Sequence, residues 1–393
     1  MDFFTDVVRF LNRLGLLKRV VPLITALSMV FTLFAGLGLE VPELEEVKNI
    51  IFMIGDGMGE NHLEWTKQEL GIDLVMETMP LRGQSKTRSF SDSVTDSAAG
   101  ATALACGVRT INGGLGVYPY DMFDIVGHPV SLTELAIEKG MKTGIVVTDS
   151  NTGATPSGFS VHTSARGNSE DIAAQQINSD IDLIWGYASS QTKREDVEAA
   201  GFEYVDSLSQ MEALEPGSRS FGQFNPDQLW RDQTQDDTPT LSEMTEKALE
   251  LLDNDDGFFI MIEGAHIDKF SHGNDKENMM MTTKEFDKSI GIALDFAKND
   301  GDTLVIVTAD HETGAIKPNK EGVYEFTSGS HSSANVPLFV YGADNFIEQG
   351  EAIKNTDVAI RTAIAMGFTL EDFPRMAPPV TQPAAKRRLL AAA

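Results

Sequence analysis

Residues 49 to 59 read Asn-Ile-Ile-Phe-Met-Ile-Gly-Asp-Gly-Met-Gly, a nearly continuous apolar run leading to an aspartate bracketed by glycines. A short, continuous apolar run rich in β-branched side chains is what a strand buried on both faces requires. Glycines on either side of Asp56 let the backbone approach other groups closely. The stretch therefore reads as a strand over Asn49 to Ile54 that delivers a carboxylate at its carboxyl end.

The same pattern recurs along the chain. Further strands are expected at Thr143 to Val147, Phe258 to Ile262, Thr303 to Val307 and Val336 to Tyr341. Between them, helical periodicity is clearest at Ser131 to Lys139, Leu241 to Leu252 and Phe286 to Lys298. Buried strands alternating with amphipathic helices describe an α/β fold, a mainly parallel central sheet flanked by helices on both faces. One large domain is expected from 41 to 376, with the polar segment 190–238 as a surface elaboration.

The ends read differently. Arg9, Arg13, Lys18 and Arg19 precede an apolar run from Val20 to Leu39, and residues 1–40 are expected to be an export signal or an uncleaved signal anchor. A run of roughly 20 apolar residues is long enough to span a bilayer. The protein is accordingly expected outside the cytoplasm, periplasmic or extracellular, and held at a membrane only if that segment remains. Residues 377–393, rich in Pro and Ala and basic, read as a flexible tail.

The 393 residues carry 31 Lys and Arg against 59 Asp and Glu, a formal net charge of −28. Such a chain lacks the basic face of a nucleic-acid binder. With Cys106 the single cysteine, neither an intramolecular disulfide nor a cysteine-built metal cage is available. Metal ligands must come from carboxylates and from seven histidines: His62, His128, His162, His266, His272, His311 and His331.

Ligands of open α/β sheets bind beyond the carboxyl ends of the strands, and most of the suitable side chains fall there. Asp56 follows the first strand. After Ile262 comes Glu263-Gly-Ala-His266-Ile-Asp268-Lys269-Phe-Ser-His272, in which Asp268 and His272 share a helical face. After Val307 come Asp310 and His311, and just before the last strand comes His331. Taken singly, Asp56 reads as a helix cap and the Asp268/His272 pair as a surface ion pair. Their common placement on one rim makes a metal site the better reading, with donors suited to zinc or to a harder, oxygen-held ion.

A nucleophile is suggested by Val94-Thr-Asp96-Ser97-Ala-Ala-Gly-Ala-Thr-Ala103. Asp96 or Ser97 could simply cap an Ala-rich helix. Yet a serine at a helix N-terminus also sits where backbone N–H groups favour an oxyanion. No histidine base is close in sequence, so activation of the hydroxyl falls to a metal ion.

Together Gly-Asp56-Gly-Met-Gly, the Ser97 segment, Ala154-Thr-Pro-Ser-Gly-Phe-Ser-Val-His-Thr-Ser-Ala-Arg166, Glu263 to His272, Thr308 to Gly314 and the late Gly-Ser-His331 resemble the bacterial alkaline phosphatases, in that family's order. The resemblance implies hydrolysis of small-molecule phosphate monoesters through a phosphoserine at Ser97, with Arg166 gripping phosphate. It further implies two zinc ions, one held by Asp268, His272 and His331 and one by Asp56, Asp310 and His311. A magnesium ion is implied at Asp56, Thr155 and Glu263. Family members are often dimers, though no interface is legible in the sequence.

One position departs from the pattern: the family usually has Asp or His immediately before the Ala-Thr-Pro, where this chain has Gly153. That departure puts the third ion in question. Lys269 matches the lysine of one subgroup. His162 and His266 read as structural histidines or as supports behind the ligands. The competing functional readings are phosphodiester hydrolysis within the same superfamily and a non-catalytic metal- or phosphate-binding protein.

Overall fold

The computed structural model describes residues 42–119 and 127–377. The expected leader at 1–40 and the tail after 377 lie outside them. Among the described residues, no helix is long and apolar enough to cross a membrane.

Ten strands form one sheet: β1 (Asn49–Gly55), β2 (Leu81–Lys86), β3 (Lys142–Ser150), β4 (Leu183–Tyr187), β5 (Glu203–Val205), β6 (Ser220–Phe224), β7 (Phe258–Gly264), β8 (Thr303–Thr308), β9 (Val336–Tyr341) and β10 (Ala352–Lys354). Their spatial order is β10-β2-β9-β8-β1-β7-β3-β4-β6-β5. Every neighbouring pair is parallel except the two made by β9. The expected α/β fold is therefore the one observed, with the five expected strands all in the sheet.

The helices around this sheet include α1 (Glu60–Leu70), α2 (Ser97–Cys106), α3 (Leu132–Lys139), α4 (Ala154–Ser160), α5 (Ser169–Ile177), α6 (Leu241–Leu252), α7 (His266–His272), α8 (Lys276–Asp300) and α9 (Asn355–Ala365). Alternation along β1 shows how they divide. Ile51 and Met53 join a core cluster with Leu249 of α6 and Phe286 and Ile290 of α8. Ile50, Phe52 and Ile54 join a second cluster on the opposite face with Leu104 of α2, Leu135 of α3 and Val358 of α9. Both faces are covered, which is why β1 carries no alternation of polar and apolar residues. Truncating a side chain as buried as Phe52 would cost about 3–5 kcal/mol.

The segment 190–238 contributes more than a surface elaboration: it carries β5 and β6, which extend the sheet beyond β4, and two short helices, Arg194–Ala199 and Leu208–Glu212.

Candidate active site

The sheet register brings three carboxylates to one end. Ile54 of β1 pairs with Glu263 of β7 on one side and with Thr308 of β8 on the other. Asp56 lies two residues beyond Ile54, and Asp310 two beyond Thr308, so parallel strands bring them to the rim beside Glu263.

The turn after β1 is tight. Gly57 has a φ of 73°, and a Cβ there would stand 2.8 Å from Cα of Asp268. Only glycine meets both demands without strain. Its N–H donates to Asp310 Oδ1 at 3.2 Å, and its carbonyl accepts from Thr313 N at 3.0 Å. The turn thus fastens the loops after β1 and β8 together against α7.

On α7, Asp268 and His272 are one turn apart, with His272 Nε2 3.4 Å from Asp268 Oδ2. His331 reaches them from a short ribbon in which it pairs with Thr313. Its Nε2 is 3.6 Å from Asp268 Oδ1 and 3.1 Å from His272 Nε2. Nδ1 of His272 faces the Gly329 carbonyl at 2.8 Å, and Nδ1 of His331 faces the Thr95 carbonyl at 2.9 Å. A carbonyl can only accept, so each Nδ1 carries the proton and each Nε2 turns a lone pair into the shared space.

A second group adjoins the first. His311 Nε2 lies 3.5 Å from Asp56 Oδ1 and 3.2 Å from Asp310 Oδ2. Thr313 Oγ1 donates to Asp268 Oδ1 and stands 3.2 Å from His311 Nδ1, where it accepts. Nε2 of His311 is therefore the unprotonated nitrogen, facing two carboxylates. The rings of His311 and His331 stack at 3.6 Å between centroids.

Among the described residues, no hydrogen bond of good geometry reaches Asp56 Oδ1, Asp310 Oδ2, Thr155 Oγ1 or either oxygen of Glu263, all of them buried, and Thr155 and Glu263 are neighbours. Buried acceptors left this way cost several kcal/mol unless a cation satisfies them. Burial, reinforced by Asp310, Asp268 and Glu263, pushes the Asp56 carboxyl well above the ordinary range. Burial and then Asp149 do the same to Glu263. Burial pulls His311 down to about 3, so its imidazole is neutral. Lone pairs pointing at carboxylates around buried, unpartnered oxygens fit divalent cations, and the His and Asp donors suit zinc.

Ser97 opens α2 at this rim, 5% exposed, its Oγ 3.2 Å from His311 Nε2. Asp96 caps the helix by accepting from Ala99 N at 3.0 Å. Arg166 approaches from the loop before α5, and its Nη1 donates to Asp96 Oδ2 at 3.2 Å. The sequence-predicted residues Ser97, Arg166, Asp56, Thr155, Glu263, Asp268, His272, Asp310, His311 and His331 thus gather at one end of the sheet. His266 stands behind them, its Nδ1 3.3 Å from Thr148 Oγ1 and its ring 5.9 Å from that of Trp230. His162 belongs instead to a separate group with His128 and Glu134. Thr313 and Asp149 do not stand out in the sequence: a threonine marks nothing by itself, and Asp149, unlike Asp56, Asp268 and Asp310, has neither bracketing glycines nor a histidine nearby.

The chain matches the family model described as Alkaline phosphatase over residues 47–186 and 186–363. It belongs to the alkaline phosphatase family. Alkaline phosphatase 3 of Bacillus subtilis is 35% identical over 308 residues, 72% of this chain and 65% of that relative. The alkaline phosphatase of Escherichia coli is 31% identical, over 67% of this chain and 70% of its own length. The solved structure of the alkaline phosphatase from the Antarctic bacterium TAB5 superposes with a TM-score of 0.70 at 32% identity, covering 83% of this chain and 99% of that one. The candidate site of this alkaline phosphatase is thus built mainly on the loops that follow β1, β7 and β8, with Ser97 at the start of α2 facing them.

Proposed function

We propose that the protein hydrolyses phosphate monoesters through a phosphoserine at Ser97. The observation that carries this reading is the position of Ser97 Oγ, 3.2 Å from a neutral His311 Nε2 and next to buried carboxylates without partners. Asp268, His272 and His331 would hold one zinc ion, and Asp56, Asp310 and His311 a second. Asp56, Thr155 and Glu263 are the donors for a third ion, magnesium; a variant of the TAB5 enzyme has been described with Mg bound in its M3 site. When bound, the ions would supply positive charge against the phosphoryl oxygens and lower the pKa of the attacking hydroxyl.

The protein's own groups do the rest. Ser97 Oγ attacks phosphorus as the ester oxygen leaves in line, forming the phosphoserine. The N-terminus of α2 presents backbone N–H groups to the phosphoryl oxygens. The planar Arg166 guanidinium supplies two parallel N–H donors to the same group. Water attacking from the opposite side releases inorganic phosphate and restores the serine; two inversions give retention at phosphorus. These contacts address the phosphoryl group, so a range of alcohol leaving groups is tolerated. The basic and apolar residues before 40 support export to the periplasm or beyond.

The test is turnover of an aryl phosphate monoester and of its bis-aryl diester by wild type and Ser97→Ala. Monoester preference lost in the variant is expected. A clear preference for the diester, or turnover indifferent to Ser97, would overturn the reading.

A further inference from the structure

The space where a residue-153 side chain would begin is already filled. Gly153 caps α4, the helix that carries Thr155, and a Cβ built on it would fall on Asp149 Oδ2 and stand 2.8 Å from that carboxyl carbon. Asp149 comes from the end of β3, two residues beyond Val147, which pairs with Glu263. The glycine at 153 is thus the condition for the carboxylate at 149, and the two positions cannot both carry a side chain without movement.

Asp149 is fixed from two sides. Its Oδ1 accepts from Ser150 N at 2.7 Å and from Lys269 Nζ, which projects from α7 next to Asp268. Oδ2 is the oxygen turned towards Gly153 and α4. Burial works against the charged form of Asp149, yet Lys269 keeps the carboxyl below its ordinary range. The local charge does not balance: Asp149 and Glu263 share one cation, Lys269, while Asp56 is set against Asp310, Asp268 and Glu263, and among the described residues no hydrogen bond of good geometry reaches either Glu263 oxygen. A cation would satisfy these oxygens, and Asp149 occupies the place beside α4, the helix of Thr155, where a side chain at 153 would begin.

We propose that Asp149, oriented by Lys269, supplies the carboxylate that completes the third cation subsite beside Asp56, Thr155 and Glu263. It does so in the space vacated by the missing side chain at 153. The inference rests on the phosphatase reading above. It makes Asp149 a positioning residue for the third ion and its water shell, and gives Lys269 the role of holding that carboxylate in place.

The experiment uses the full chain loaded with zinc and titrates magnesium by calorimetry, with zinc content and thermal unfolding measured on the same samples. Asp149→Asn should weaken magnesium binding by about tenfold or more while zinc content is kept, since groups supporting a metal site typically contribute that much. Gly153→Asp alone should destabilise the fold by crowding Asp149. The double variant Asp149→Gly/Gly153→Asp, which moves the carboxylate across the same space, should restore binding to within about threefold of wild type. Wild-type magnesium affinity in Asp149→Asn would overturn the proposal and leave the Asp149/Lys269 pair a structural contact. A double variant that folds, keeps its zinc and binds magnesium no better than Asp149→Asn would also overturn it. Failure of wild type to take up zinc would instead strike the phosphatase reading itself.

Discussion

Arg166 donates from Nη1 to Asp96 Oδ2 at 3.2 Å, and Asp96 is the residue immediately before Ser97. The same carboxylate caps α2 through Ala99 N and accepts from Gly113 N at 2.9 Å. One aspartate therefore sets both the start of the helix that carries Ser97 and the resting place of the guanidinium. The Arg166 side chain is 44% exposed, so the ion pair adds little to stability and acts by aiming the fork.

Asp96→Asn separates these roles. Asparagine keeps the cap through Oδ1 to Ala99 N, but its amide nitrogen cannot accept from Gly113 N, so the melt should show only a modest loss, about 1 kcal/mol. Arg166, without its charged tether, should be less well placed, raising KM for an aryl phosphate by roughly tenfold, about 1.4 kcal/mol. Steady-state kinetics beside a thermal melt checks both. A large loss of stability with unchanged KM would show that the cap alone matters.

Removing metal should destabilise the protein as well as inactivate it. Asp56, Glu263 and Asp310 crowd one another at the rim, and among the described residues Asp56 Oδ1, Asp310 Oδ2 and both Glu263 oxygens have no hydrogen-bond partner of good geometry. Chelation should lower the melting temperature at neutral pH, and zinc with magnesium should restore it along with activity. A melting temperature indifferent to chelator would contradict the cation sites.

Gly57→Ala should damage the site from a distance. The new Cβ meets Asp268 at 2.8 Å and must adopt a φ of 73°. The strain exceeds about 1 kcal/mol, and displacement of Asp268 should lower both zinc content and kcat. Elemental analysis of the purified variant, with its unfolding curve, provides the check.

The His162/Glu134 pair predicts a pH-dependent stability away from the site. Burial opposes the charge on His162, but Glu134, 3.1 Å from its Nε2, and the Gly116 carbonyl raise its pKa overall. Because the folded value lies above the unfolded one of about 6.5, the contribution is fully present below that pH and is lost as pH rises through the folded value. Glu134 is shifted the other way despite its burial, chiefly by His162, so its own share is present above about 4.5 and lost as pH falls. His162→Gln should cost about 1–2 kcal/mol at pH 6 and clearly less at pH 9. Denaturant melts at the two pH values test the sign.

The inner strands were legible because β1, β3, β7, β8 and β9 are buried on both faces and must be apolar throughout. The strands missed, Leu81–Lys86, Leu183–Tyr187, Glu203–Val205, Ser220–Phe224 and Ala352–Lys354, lie towards the edges. There Gly83, Gly186 or Gly222 and polar residues such as Gln84 and Gln223 interrupt the apolar pattern, and pairing with a neighbour decides the conformation. The convergence of the candidate ligands was legible because parallel strands carry the residues just beyond their carboxyl ends to one rim. Asp149 was not, because its meaning depends on a space four residues away at Gly153 and on a lysine from α7. Such a relation exists only in three dimensions.

The central claim is that Ser97 takes the phosphoryl group. Acid quenching of the metal-loaded enzyme during turnover of an aryl phosphate, followed by proteolysis and mass spectrometry, tests it directly. The peptide containing Ser97 should carry the mass of one phosphoryl group, and Ser97→Ala should show none and lose turnover. Turnover with no phosphoryl group on that peptide, or persisting in Ser97→Ala, would contradict the account.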